Sequence, residues 1–109
     1  MTSELPGGLS ATAEYFVVAA LDEIDGDSIN AYAVPAAATI TRFGGRVAAV
    51  LDLVETLEGS PDTSRLVVIA FKDREAANAW YGSQDYAELI PRRHAAATTR
   101  FFAGFRPVS

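Results

Sequence analysis

The chain has 109 residues, half of them apolar and 21% charged, with a net charge of −5, one histidine and no cysteine. That length and apolar share describe one globular domain with a modest core, and the acidic balance argues against nucleic acid, whose phosphates need a concentrated basic surface. Without cysteine there are no disulfides, thiolate nucleophiles or thiolate metal sites, and with a single histidine neither a metal nor a tightly held cofactor is expected.

Residues 1–13, "MTSELPGGLSATA", combine Pro, Gly, Ser and Thr with no basic or apolar segment of signal-peptide type, so they read as a flexible tail before a single domain over residues 14–109. No apolar run approaches the ~20 residues of a membrane span, and a cytoplasmic location is the default. The first strand is expected over 15–21, "YFVVAAL". Behind it Ile29, Tyr32, Ala36, Ile40 and Phe43 recur at three- and four-residue steps, which predicts a helix with one apolar face. Asp27 or Ser28 is its expected cap, Gly44-Gly45 its end, and Pro35 is expected to kink or split it.

Two further strands, over 47–57 and 66–71, flank the turn-rich "EGSPDTSR" and predict a hairpin. Asp73 then caps "REAANAWY", Gly82-Ser83 breaks that helix, and Ser83 caps a second over "QDYAELIPRRHAAA". A last strand is expected over 100–105, "RFFAGF". The order β-α-β-β-α-β predicts an α+β, ferredoxin-like fold: a four-stranded antiparallel sheet with helices on one face.

A sheet with water on one face should alternate apolar and polar residues, and these strands do not. Tyr15, Val17, Ala19 and Leu21 point one way, and Phe16, Val18 and Ala20 the other. With no chain left to cover the second face, a homodimer joined through its sheet faces is expected.

These residues resemble the family grouped as domain of unknown function 1330, within the dimeric α+β barrel superfamily. The likeness rests on "YFVVAALD", on Tyr32, Pro35 and Phe43-Gly44-Gly45-Arg46, on "ETLEG" and "RLVVIAF", and above all on "REAANAWYGSQDYAELIPRRHAAA". It implies a ferredoxin-like protomer and a dimeric barrel, and leaves the reaction open. Related folds include cofactor-free monooxygenases, muconolactone-type isomerases and haem-binding enzymes, which is an analogy of fold. Family members often carry Arg-Gly-Gly midway along the second strand, where this chain has Val50-Leu51-Asp52, so an anion-binding arginine there is missing.

The candidate ligand-binding residues are Trp80, Tyr86 and Arg93, with His94 and Asp52 as the candidates for proton transfer. Trp80 follows Ala76 at helical spacing and reads either as the plug of a small core or as a pocket wall. Tyr86, Leu89, Ile90, Arg93 and Ala97 form one stripe, on which Arg93 either snorkels to solvent or a partner carboxylate, or meets an acidic or carbonyl-bearing ligand. Asp52 and Glu55 face opposite sides of a strand and cannot act as a carboxylate pair. Two functions follow. One is the binding or transformation of a small aromatic or carbonyl compound, monooxygenase-like or isomerase-like if catalytic, between sheet and helices. The other is a non-catalytic structural or interaction dimer.

Overall fold

The computed structural model describes residues 15–108, and the tail expected over 1–13 lies outside them. In chain order come β1 (Tyr15–Glu23), α1 (Gly26–Arg42), β2 (Arg46–Asp52), β3 (Arg65–Phe71), α2 (Arg74–Tyr81), α3 (Gln84–Ala87), α4 (Ile90–Ala96) and β4 (Ala97–Phe105). The strands form one sheet in the order β2-β3-β1-β4, every neighbouring pair antiparallel, with the helices on one face. This is the expected α+β, ferredoxin-like arrangement.

The first helix is capped two residues before the earlier of its expected caps. Asp25 is the cap, accepting from the Asp27 amide at 3.2 Å and from the Ser28 hydroxyl at 2.7 Å. Pro35 neither splits nor ends α1. The carbonyl its missing N–H would have bound belongs to Ala31, an exposed residue, so water can take that place. The buried side of α1 is Ile29, Tyr32, Ala36, Thr39 and Ile40, the periodic face of the sequence plus one threonine. Gly44 then turns the chain at φ +80°. Gly45 passes so close to Phe71 that a Cβ there would stand 2.6 Å from its ring.

Three other boundaries move. β2 stops at Asp52 rather than running to residue 57, because its partner strand starts only at Arg65. Pro61, upstream of that start, has no N–H for a longer ladder, and one further bond closes the hairpin, from the Leu53 amide to the Ser64 carbonyl at 2.8 Å. β4 begins at Ala97, three residues before the expected strand. The carbonyl of Ala96 accepts from the amides of Ile24 and Asp25, which fastens the end of α4 to the end of β1. The helix expected over "QDYAELIPRRHAAA" is two pieces, α3 and α4. Pro91 cannot donate to Ala87, and it sits instead in the first turn of α4, where no donor is needed.

The sheet has two apolar faces, as the missing alternation implied. Val17, Ala19, Leu21, Ile69 and Phe71 pack beneath the helices. On the other face Phe16 and Ala70 are buried with Ala48 and Val68 beside them, while Leu51, Phe101 and Phe105 stand exposed. None of the described helices covers that face. No helix among the described residues is long and apolar enough to cross a membrane.

Candidate functional site

The helical layer brings Trp80, Tyr86 and Arg93 together. Asp73 caps α2 through the Ala76 amide at 2.8 Å, which sets Trp80 two turns later on the sheet side. Ser83 caps α3 through the Tyr86 amide at 3.2 Å, which turns Tyr86 inward. Although Pro91 interrupts the helix, α4 continues the same stripe and buries Arg93. Trp80 and Tyr86 are wholly buried, their ring centroids 4.3 Å apart, and Phe102 of β4 lies 6.1 Å from Trp80 and 6.4 Å from Tyr86. The Trp80 indole N–H donates to Thr39 at 2.9 Å, and Thr39 donates to the Ala36 carbonyl at 2.7 Å.

Arg93 is 3% exposed, and among the described residues no carboxylate pairs with it. Its guanidinium donates to the Tyr86 hydroxyl at 2.6 Å and to Thr99 at 3.1 Å, lies 3.3 Å from Nε2 of His94, and stacks 4.6 Å from the centre of the Phe102 ring. Burial works against the charge, but the phenol oxygens of Tyr86 and Tyr32 around it prevail, and Arg93 holds its proton more firmly than a free guanidinium. The Tyr86 hydroxyl in turn lies 2.7 Å from that of Tyr32 on α1. Burial pushes both phenols above their ordinary range, so both stay protonated at neutral pH. The result is a hydrogen-bonded chain from a buried cation through two neutral phenols.

Tyr32 is where this chain meets empty space. A cavity of about 360 Å³ lies between α1 and the sheet, walled by Tyr32, Ala36 and Ile40 from the helix, by Ala19, Val50, Val67 and Ile69 from the strands, and by Phe102. Glu23 and Arg65 stand at one end, 3.4 Å apart. Trp80, Tyr86 and Arg93 are one layer behind this wall rather than in it. The residues that carry the site to the cavity, Tyr32 and Phe102, read in the sequence as ordinary core positions. The signal in Tyr32 was its hydroxyl, because a tyrosine on an apolar helix face needs a buried partner for its O–H.

His94 is exposed at the end of α4, and its one link to the cluster is the contact with Arg93. Asp52 is not brought to the others. Its side chain is 65% exposed at the end of β2, where it accepts from Arg65 Nε at 2.8 Å. A bulge after Val47 puts Ala48 on the outer face, so Asp52 does not share a face with it as an unbroken strand would require. Among the described residues no group of three or more His, Asp or Glu side chains is placed to hold a metal ion.

The sequence profile of the family described as Domain of unknown function (DUF1330) matches residues 14–103. The chain belongs to this family. Solved structures share the fold of this DUF1330 protein. A protein of unknown function from Rhodopseudomonas palustris superposes with a TM-score of 0.70 at 16% identity, covering 90% of this chain and 85% of its own. SnoaB, a cofactor-independent oxygenase from Streptomyces nogalater, gives 0.66 at 15% identity, over 89% of this chain and 95% of its own. A dimeric ferredoxin-like protein of unknown function from Thermobifida fusca gives 0.59 at 8% identity, over 98% and 100%. At these identities the likeness is one of fold. No curated protein matches the chain.

Proposed function

We propose that this DUF1330 protein binds a small aromatic or carbonyl compound in the cavity between α1 and the sheet, with Tyr32 as its polar contact. The observation that carries the reading is Tyr32, a wall residue of a largely apolar space of about 360 Å³ whose hydroxyl is held by the buried Arg93–Tyr86 pair. That volume lies at the lower end of small-molecule pockets, which typically combine apolar walls with one or a few placed polar groups. A carbonyl oxygen accepts from Tyr32 while the ring or chain fills the apolar remainder. If the protein turns its ligand over, the chemistry that suits this setting is proton transfer or oxygenation without a metal, with negative charge developing on that oxygen. Trp80 and Phe102 set the position of Tyr86 and Arg93.

The working unit in this reading is a homodimer joined through the outer sheet faces. Exposed Leu51, Phe101 and Phe105 support it, as does the dimeric Thermobifida protein of the same fold. Light scattering at micromolar concentration checks it, and a stable monomer excludes it.

Acetophenone, an aromatic ketone, tests the site by saturation-transfer NMR. Transfer to the ligand is expected in the native protein and lost in Val67→Trp, which fills the cavity, with Val50→Trp as a second filling variant and circular dichroism as the check on folding. Absence of transfer in the native protein overturns the reading and leaves a structural dimer in its place.

A further inference from the structure

The direction of the hydrogen bonds says more about the ligand than the shape of the cavity does. Tyr86 has one hydroxyl proton, and its oxygen already accepts from Arg93 Nη1 at 2.6 Å. Tyr86 is wholly buried, and Tyr32 is the other group its hydroxyl meets. If Tyr32 donated to Tyr86, the Tyr86 proton would point into the core with no acceptor, at the full cost of an unmade buried bond. The arrangement that satisfies every group is therefore Arg93 to Tyr86 to Tyr32, each donating to the next. Tyr32 is then left with its own O–H, and none of the described side chains accepts it. Tyr32 is one of the residues that line the cavity.

Behind the donor stands a buried positive charge that no carboxylate among the described residues pairs with. The other charged groups at the cavity, Glu23 and Arg65, are bound to one another at its end, and Arg65 is also held by Asp52. His94 touches Arg93 from the solvent side. A neutral acceptor would satisfy the Tyr32 donor but not the charge. A negatively charged oxygen answers both, since hydrogen bonds to an ionised acceptor are roughly twice as strong as neutral ones.

From this relay we infer that the ligand is a weak oxygen acid or enolisable carbonyl compound, bound at Tyr32 as its conjugate base. The inference rests on the cavity reading above. The ligand's proton leaves to solvent on binding, and its negative oxygen accepts from the Tyr32 hydroxyl. Arg93 does not touch the ligand; it is a positioning residue that acts through two phenols.

The test uses 4-nitrophenol, whose phenolate absorbs visibly, beside 4-nitroanisole, which has the same body and no acidic proton. Titrating each into the full-length protein gives the affinity for the neutral body and, from absorbance against pH, the preference for the phenolate. The native protein is expected to bind phenolate about tenfold more tightly than phenol. Tyr32→Phe and Tyr86→Phe are expected to lose that preference and to bind phenolate and phenol about equally. If both compounds bind the native protein without preference for the phenolate, this inference falls and the cavity reading stands. If neither binds, both fall. A phenolate preference that survives in Tyr32→Phe also overturns the relay.

Discussion

The hydroxyl of Tyr32 lies 2.7 Å from that of Tyr86, joining a cavity-wall residue of α1 to a buried residue of α3 that is 54 positions away in the chain. Tyr86 also accepts from Arg93, so its hydroxyl supports two partners at hydrogen-bond distance, while among the described residues that of Tyr32 has Tyr86 alone at such a distance. Stability should follow that asymmetry. Tyr86→Phe leaves the buried guanidinium without the acceptor of its Nη1 and should cost about 3 kcal/mol, whereas Tyr32→Phe should cost about 1 kcal/mol. Urea unfolding of the two variants gives the comparison, and equal costs would mean that the relay does not hold Arg93.

The same pair sets the alkaline limb of stability. Burial raises both phenols above the ordinary tyrosine value of 10.0. The unfolded chain therefore ionises first, so their stabilisation is complete below about pH 10 and is lost as pH rises towards the folded values. The urea midpoint should fall with a shallower slope above pH 10 in Tyr86→Phe than in the native protein.

The acid limb has a separate origin, at the end of β1. Asp22 accepts from Arg100 Nε at 2.6 Å and from the Ser64 amide at 2.6 Å, and these bonds hold its carboxyl below the ordinary value of 3.8. A lowered folded value contributes stability above the unfolded pKa and loses it as pH falls through the folded one. Asp22→Asn should thus flatten the decline of stability below about pH 4, with little change in the slope near neutral pH. An acid limb as steep as the native one would place the acid sensitivity elsewhere.

Much of this fold was legible in the chain. Periodicity from Ile29 to Phe43 marked α1, the caps Asp73 and Ser83 lay where their side chains bond, and the two apolar faces of β1 were plain in "YFVVAAL". The misread points turn on tertiary context. Pro35 is tolerated where the carbonyl it leaves unbonded belongs to the exposed Ala31, whereas Pro91 divides a helix, and no local rule separates those outcomes. Tyr86 and Arg93 were visible on one stripe, and Trp80 on the helix before it, but their relation to the cavity was not. Tyr32 comes from an element 54 residues away from Tyr86, and only the fold puts the two hydroxyls together. Asp52 stood as a candidate for proton transfer because the bulge after Val47 and the pairing with Arg65 leave no trace in local sequence.

A crystal structure of the protein soaked with acetophenone addresses the central claim most directly. The account predicts ligand density in the cavity between α1 and the sheet, with the carbonyl oxygen about 2.7 Å from the Tyr32 hydroxyl. An empty cavity at saturating acetophenone, or a ligand bound there with its carbonyl turned away from Tyr32, would contradict it.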